Sequence, residues 1–301
     1  MAKQFKRPRM LIIGCGDIGQ RIIQNSPKFW RFIITNRSGL KFKNNYNSKT
    51  AQIQESLIKC YKLDLDNSDN KIMLNKLKKL TKNIIYLAPP QNYGNYDHRI
   101  RQIKYIFYST NINFTYISTT GVYGNQFGNI VDENSILHPI SSRAIRRVDA
   151  ENYLRKLAIK SKNKLFIIRT PGIYAANRLP LERLKQNIPI FTKEDDIYTN
   201  HIHAIDLARI IFKSLFSINV PTRIVNAVDN SNIKAGDWLE YLAFSFNLPM
   251  PLRLPKQQLM HQIDNKRKSF LSESRRISNK RLKSLLKFSF LYNTIFEGIH
   301  Y

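Results

Sequence analysis

A glycine-rich stretch near the N-terminus carries the most specific chemical signal in this sequence. It reads Gly14-Cys15-Gly16-Asp17-Ile18-Gly19 and follows an apolar run, residues 10–13, that suits a strand buried on both faces. With this spacing, the first glycine permits a tight turn and the second lets backbone N–H groups approach a pyrophosphate. The third lets the next helix pack closely on the strand, and the helix N-terminus favours an anion. We therefore expect a dinucleotide at residues 14–19, although glycines at such a turn can also be purely structural.

The end of the second expected strand indicates which dinucleotide binds. Residues 32–35 are apolar or β-branched, and Asn36 and Arg37 follow them where an NAD site usually has an acidic residue. The planar guanidinium of Arg37 could hold a 2′-phosphate. The sequence therefore predicts NADP as the cofactor, with NAD as the second choice. The alternative is that Arg37 is only a solvated residue at the start of a loop.

Strand-like and helix-like segments alternate along the first half of the chain, as in an α/β protein. The expected elements are strands at 32–35, 57–64, 83–88 and 114–118 and helices at 18–24, 69–80 and 97–108. This alternation predicts a Rossmann-like, doubly wound parallel sheet with right-handed crossovers. After about residue 170 the elements become shorter and less regular. We expect a dinucleotide-binding domain at 1–170 and a smaller C-terminal α+β substrate lobe at 171–301, interleaved with the first.

The net positive charge of the chain suggests a nucleic-acid partner, but the distribution of its basic residues does not. The 301 residues carry a formal net charge of +28, spread over the whole length together with many Asn and Ile residues. The densest basic patch, 266–287, is expected to form solvated helix faces. Because no RNA-binding sheet motif, zinc finger or stacked aromatic platform is evident, we expect no specific nucleic-acid partner.

Cysteine content and hydropathy limit the class of protein further. The two cysteines, Cys15 and Cys60, have the spacing of neither a disulfide framework nor a metal site. The longest apolar runs are too short to cross a bilayer. We therefore expect a reducing, cytoplasmic setting, no membrane partner and no metal.

The stretch at 117–124 reads Ile-Ser-Thr-Thr-Gly-Val-Tyr-Gly, and here the chain resembles the extended short-chain dehydrogenase/reductase superfamily of the nucleotide-sugar epimerase/dehydratase type. In that family, a strand ends in a Ser/Thr cluster followed by Val-Tyr-Gly beside the nicotinamide. Further segments fit in the same order, so the resemblance covers nearly the whole chain. They are the glycine turn 14–19, Asp64-Leu65, Ala88-Pro89-Pro90, 169–174, 202–208 and 274–279. The resemblance implies cofactor contacts at Asp64, Leu65 and Ala88.

The chain departs from the family at its acid/base pair. The family uses Tyr-x-x-x-Lys, and no tyrosine in this chain is followed by a lysine four positions later. Counted back from Glu151, the two positions are occupied by Arg143 and Arg147, whose guanidinium groups cannot exchange a proton near neutral pH. The pattern resembles an atypical, epimerase/dehydratase-like branch, with a Ser-x-Arg-x-x-x-Arg helix at 141–147.

The resemblance leaves alternatives open for each pocket residue. Thr119 matches the family's catalytic Ser/Thr, but its hydroxyl could instead cap backbone groups. Tyr123 is either a wall of the site or an acid. Arg143 and Arg147 lie one helical turn apart, so both can hold a phosphate or carboxylate, or they form an ordinary basic face paired with Asp149 or Glu151.

Two classes of function follow from these residues. The first is an NAD(P)-dependent oxidoreductase or epimerase-like enzyme with unconventional acid/base groups and a small-molecule, anionic substrate. The second is a redox-inactive NADP-binding regulator or partner protein. The retained Ser/Thr-Val-Tyr-Gly segment favours the enzyme, whereas the arginine pair favours the regulator.

Overall fold

Apolar strands that are buried on both faces form the core of the molecule. In the first strand, Met10 and Ile12 pack against one layer of helices, whereas Leu11 and Ile13 pack against the opposite layer. A strand covered on both faces has no need of polar side chains, which explains the uninterrupted apolar run.

The computed structural model describes residues 7–39, 55–67, 70–217 and 222–301. The strands in these ranges are β1 (Arg9–Ile13), β2 (Arg31–Asn36), β3 (Ile58–Lys62), β4 (Asn83–Tyr86), β5 (Asn113–Thr119), β6 (Ile130–Val131), β7 (Lys164–Thr170), β8 (Gly172–Tyr174), β9 (Ile190–Phe191), β10 (Tyr198–Thr199), β11 (His201–His203), β12 (Thr222–Asn226), β13 (Ile233–Lys234), β14 (Arg253–Leu254) and β15 (Arg276–Ile277). The helices are α1 (Asp17–Gln24), α2 (Lys71–Leu77), α3 (His98–Arg101), α4 (Lys104–Phe107), α5 (Ser142–Ser161), α6 (Leu181–Lys185), α7 (Ala204–Ser214), α8 (Ala235–Ser245), α9 (Lys256–Gln262), α10 (Asn265–Leu271), α11 (Lys280–Leu286) and α12 (Ile295–Gly298).

The central sheet has seven strands, all parallel, in the order β12-β7-β5-β4-β1-β2-β3. This arrangement confirms the predicted Rossmann-like, doubly wound α/β fold. The strand order reverses between β1 and β4, and open sheets of this kind bind ligands beside the reversal, at the carboxyl ends of the strands. The glycine turn follows β1 and Ala88 follows β4, so both lie at this point.

Helices cover both faces of the sheet. One face packs against side chains of α1, α7 and α11, and the other against α2, α4 and α5. The longest helix, α5, begins where the Ser141 hydroxyl accepts a hydrogen bond from the Ala144 N–H, and it ends at Lys162 in the left-handed conformation. Its N-terminal turns carry Arg143 and Arg147 toward the carboxyl edge of the sheet.

The second half of the chain contributes to both parts of the molecule. A separate apolar cluster around Tyr174, Leu184 and Trp238 forms the core of a smaller lobe, with short two-stranded pairs around it. The chain also returns to the first part, because β12 extends the central sheet next to β7 and α7 packs against α1.

Two sequence-based expectations about helices were wrong. The segment 97–108 forms two short helices, because the N–H groups of Gln102 and Ile103 bond three residues back, to Arg99 and Ile100, rather than four. The basic patch 266–287 is not a continuous helical face, since β15 separates α10 from α11. The expected helix start at Asp69 lies outside the described residues.

Asp229, just beyond β12, is a buried carboxyl group whose ionisation we expect to destabilise the fold. It is 5% exposed, its Oδ2 has no hydrogen-bond partner in the described structure, and burial raises its pKa from 3.8 to about 7. The folded-state pKa of Asp229 lies above that of the unfolded chain. The protonated group therefore stabilises the fold fully below pH 3.8, and this contribution is lost as the pH rises through 7.

Asp229→Asn should therefore raise the melting temperature by a few degrees near pH 8 and leave it unchanged near pH 4. The amide retains the Oδ1 that accepts from the Ser231 N–H. Thermal unfolding of both proteins at the two pH values checks this, and an equal or lower melting temperature for the variant near pH 8 would contradict it.

Candidate functional site

The glycines of the turn after β1 have distinct local geometries. Gly14 has a φ of +80°, and a Cβ built on it would lie 2.7 Å from the backbone nitrogen of Ala88. Gly19 is equally confined, because its Cβ would lie 2.7 Å from the Cys15 Sγ. Gly16 is different, since a Cβ there would meet nothing within 4 Å. The turn therefore leaves open space at the glycine where a pyrophosphate would have to approach the backbone.

Asp17 and Ile18 continue the turn into α1. Gly16 is the N-cap residue of α1, and Asp17 lies in its first turn. Ile18 lines the large cavity described below. Burial raises the pKa of the Cys15 thiol to about 12, so this cysteine is not a thiolate nucleophile.

A small cavity of about 100 Å³ lies on the β2 side of the turn, and several expected cofactor residues line it: Gly14, Arg37, Leu65 and Ala88. Arg37 is 64% exposed, and its guanidinium lies 3.3 Å from an Asp66 carboxylate oxygen and 3.9 Å from one of Asp64. Arg37 therefore lies at the rim of this cavity beside two carboxylates, and most of its side chain is exposed to solvent.

Asp64 and Leu65, two of the expected cofactor residues, also have structural contacts here. The Asp64 Oδ1 accepts a hydrogen bond from the Asp66 N–H, which fixes the turn after β3. Leu65 is buried in the core, with only its cavity edge open.

A much larger cavity of about 660 Å³ lies on the other side of the glycine turn. This volume is within the range of small-molecule sites. The first lobe contributes Ile18, Leu87, Ser118, Thr119, Arg143 and Arg147 to its wall, and the second contributes Arg183, Asp196, His201, Arg267, Glu273 and Arg275. The two cavities together flank the strand-order reversal, as an extended dinucleotide would require.

Thr119 ends β5 at the wall of the large cavity. Its Oγ1 accepts a hydrogen bond from the Gly121 N–H at 3.2 Å, so it caps the 3-10 helix that follows. This bond uses an acceptor lone pair, and the hydroxyl proton stays available to a ligand oxygen. Thr119 can thus both cap the backbone of this 3-10 helix and donate a hydrogen bond to a substrate oxygen, the two roles that the sequence left open.

Tyr123 does not lie in the cavity wall. Its side chain is fully buried, and its hydroxyl donates to the Asn226 Oδ1 at 2.7 Å and accepts from Arg169 at 3.0 Å. Burial raises the pKa of this phenol. The interpretation of Tyr123 as an acid is therefore replaced by a structural role: the 3-10 helix after β5 turns the ring toward β7 and β12 instead of the cavity.

Tyr123→Phe separates these two roles. Removal of the hydroxyl leaves buried groups on Asn226 and Arg169 without their partner, which should lower the free energy of unfolding by about 1–3 kcal/mol. Ligand binding in the cavity should stay unchanged. Chemical denaturation and NADPH titration of the variant measure both effects, and full stability combined with weakened binding would return Tyr123 to the site.

Arg143 and Arg147 both line the large cavity, and neither forms an ion pair with Asp149 or Glu151. Those carboxylates pair with Arg101 and Arg169 instead, at 2.9 and 2.7 Å. The structure therefore excludes the ordinary paired helix face for the two arginines.

The two arginines differ in how firmly they are held. Arg147 donates to the buried hydroxyl of Tyr116 at 2.9 Å, with its guanidinium over the Tyr116 ring. Arg143 is exposed and lies over the Phe270 ring at 4.7 Å. Partial desolvation by the cavity walls and the neighbouring positive charge of Arg147 lower the pKa of Arg143.

Three arginines of the second lobe also line this cavity, and sequence reasoning missed them. Arg183, Arg267 and Arg275 each have a buried Nε without a hydrogen-bond partner in the described structure. Burial and the nearby Arg267 lower the pKa of Arg183 to about 10. Arg275 pairs with Glu273, but no described carboxylate forms an ion pair with Arg183 or Arg267. The sequence analysis placed Arg267 and Arg275 in the basic patch at 266–287, interpreted as solvated, and Arg275 also in the segment 274–279 of the resemblance. No sequence signal pointed to Arg183.

His201 is a further cavity residue that the sequence did not single out. It is 7% exposed and packs against Trp238, with a ring-to-ring distance of 5.2 Å. Burial lowers its pKa to about 4, so the imidazole is neutral near pH 7, and its Nδ1 has no hydrogen-bond partner among the described residues.

Neither metal ligands nor membrane spans are evident in the described part of the chain. No group of three or more His, Cys, Asp or Glu side chains there could hold a metal ion. None of the helices in the same ranges combines the length and apolar character needed to cross a bilayer.

No family model and no curated protein sequence matches this chain, but many solved structures share its fold. A conserved protein of unknown function from Silicibacter pomeroyi has a TM-score of 0.77 at 22% identity, over 97% of this chain and 96% of that one. The UDP-glucuronic acid 4-epimerase of Bacillus cereus, solved with NAD, gives 0.71 at 16% identity over 94% of each chain. The UDP-N-acetylglucosamine 4-epimerase of the same organism gives 0.69 at 15% identity over 95% of each. The chain therefore has, over nearly its full length, the fold of structures that include NAD-dependent nucleotide-sugar epimerases.

Proposed function

We propose that this protein is an NAD(P)-dependent oxidoreductase or epimerase-like enzyme that acts on an anionic small molecule. One observation carries the proposal: the open glycine turn at the strand-order reversal leads into a cavity whose lining includes four arginines without an ion pair to a described carboxylate, namely Arg143, Arg147, Arg183 and Arg267. The first feature supports a dinucleotide and the second supports an anionic substrate beside it.

The glycine turn fits the cofactor on this chain's own geometry. A Cβ at Gly16 would occupy otherwise empty space, and the N-terminus of α1, with its favourable dipole, lies beside it. When bound, the nicotinamide group would accept or donate a hydride. The arginines would bind and orient the substrate, and the Thr119 hydroxyl would donate a hydrogen bond to the reacting oxygen. Because no guanidinium can exchange the proton, we propose that water in the cavity takes it up.

The fixed positive charges also bear on the state of the cofactor. Arg143 and Arg147 would repel the positively charged ring of the oxidised nicotinamide, whereas the reduced ring has no charge. We therefore propose that the protein binds NADPH more tightly than NADP⁺.

The redox-inactive alternative rests on a specific observation too. Arg143 and Arg147 replace the family's proton-exchanging pair, and Tyr123 is buried outside the cavity. An assay of NADP⁺ reduction and of epimerisation with UDP-glucuronic acid and UDP-N-acetylglucosamine, the nucleotide sugars named for two of the similar structures, distinguishes the two. Turnover of either sugar supports the enzyme. Tight binding of NADPH and a sugar without turnover or epimerisation supports the regulator.

The preference for NADP over NAD gives a prediction at Arg37. Its guanidinium is exposed and shared with Asp66, so its contact with a 2′-phosphate should be modest. Arg37→Ala should weaken NADPH binding about three- to tenfold and leave NADH binding unchanged. Calorimetric titration with both dinucleotides measures this. Equal losses for the two, or wild-type affinity for NADH at least equal to that for NADPH, would refute the preference.

A further inference from the structure

The first residue of α1 is an acid, next to the backbone N–H groups at which the proposed pyrophosphate would bind. Asp17 follows Gly16 directly, and its carboxylate is partly exposed. A negative charge stabilises a helix N-terminus in the free protein, but it would repel a bound pyrophosphate that uses the same N–H groups. Residue 17 is therefore an unfavourable place for an uncompensated acid in a dinucleotide site.

Two guanidinium groups compensate this carboxylate. Arg21, one turn later on α1, places its Nε 3.2 Å from both Asp17 oxygens. Arg178 reaches across from the second lobe and places its Nη1 2.8 Å from the Asp17 Oδ2. The neighbouring Asn177 accepts a hydrogen bond from the Arg21 Nη2 at 2.9 Å. One 3-10 turn of the second lobe, Ala176–Arg178, thus contacts both ends of the Asp17–Arg21 pair.

We propose that Arg178 sets the affinity of the glycine turn for the dinucleotide by neutralising Asp17. This inference rests on the proposed dinucleotide function. Arg178 is a positioning residue: it holds the Asp17 carboxylate on the lobe side of the turn and adds a positive charge beside the pyrophosphate. It also makes dinucleotide binding depend on a contact between the two lobes.

A thermodynamic cycle on Asp17 and Arg178 tests the proposal by calorimetric titration of NADPH. Arg178→Ala removes one of the two guanidinium groups from the carboxylate and should weaken binding about tenfold, whereas Arg178→Lys, which keeps the charge, should stay within about twofold of the wild type. Asp17→Asn should bind as tightly as the wild type or more tightly. The double variant Asp17→Asn/Arg178→Ala should recover most of the affinity lost in Arg178→Ala.

Controls distinguish the neutralisation of Asp17 by Arg178 from two other effects, a loss of the fold and a change in the net charge of the protein. Lys185→Ala removes one positive charge from an exposed pair with Glu182 and should not change NADPH affinity. Melting temperatures identify any variant that has lost its fold. If Arg178→Ala binds like the wild type, or if Asp17→Asn weakens binding and the double variant is weaker still, the inference is wrong. If the wild type binds no dinucleotide, the proposed function itself is wrong.

Discussion

Gly16→Val should abolish dinucleotide binding while leaving the fold intact. A Cβ at Gly16 meets no atom within 4 Å, so the free protein can accommodate the side chain. The same space is where the pyrophosphate must approach the backbone, and a valine there would prevent the contact. We expect at least a hundredfold loss of NADPH affinity, about 2.7 kcal/mol or more, with little change in melting temperature.

Gly14→Ala is the matched variant, because it should destabilise the fold, whereas Gly16→Val should leave it intact. Gly14 has a φ of +80°, and its Cβ would lie 2.7 and 2.9 Å from backbone atoms of Ala88. A side chain there has to separate the ends of β1 and β4, so it should destabilise the protein clearly. Calorimetry and thermal unfolding of both variants measure the contrast. A Gly16→Val protein that binds NADPH normally would contradict the assignment of the turn.

Arg143→Ala should weaken anion binding in the large cavity by one to two orders of magnitude. A charge-assisted hydrogen bond contributes roughly 1.5–3 kcal/mol. Of the two first-lobe arginines that line the cavity, Arg147 is held by the buried Tyr116 hydroxyl, whereas Arg143 is exposed. Citrate is a suitable probe, titrated with the glycine turn saturated by NADPH. NADPH affinity itself should be nearly unchanged.

Arg155→Ala is the matched control for this prediction. Arg155 is an exposed arginine of the same helix and does not line the cavity. Its removal subtracts the same charge and should leave citrate binding unchanged. Equal citrate affinity for Arg143→Ala and the wild type would show that Arg143 does not bind the anion. Equal losses of citrate affinity in the two variants would show that the effect comes from the net charge of the protein and not from a contact with Arg143.

The parts of this protein that the sequence predicted are those that local geometry dictates. The apolar run 10–13 and the glycine spacing after it each follow from contacts within a few residues, and the alternation of elements determined the sheet. No proline or glycine marks the break in the helix predicted at 97–108. The break arises where backbone N–H groups bond to carbonyls three residues back instead of four, and the sequence there does not indicate this change.

The candidate site was harder to predict, because side-chain direction depends on distant packing. Tyr123 retains the family's Val-Tyr-Gly pattern, yet contacts with Asn226 and Arg169 direct its hydroxyl away from the cavity. Arg183 and Arg267 come from separate helices of the second lobe and meet only in the folded chain. In a sequence with 49 Lys and Arg residues, nothing local distinguishes these two from solvated ones.

A crystal structure of the protein grown with saturating NADPH is the most direct test of the proposed dinucleotide site. We expect density for the pyrophosphate over residues 14–19, next to Gly16, with the nicotinamide end in the large cavity between Thr119 and Arg143. An empty glycine turn under these conditions, or a dinucleotide bound elsewhere on the protein, would contradict it.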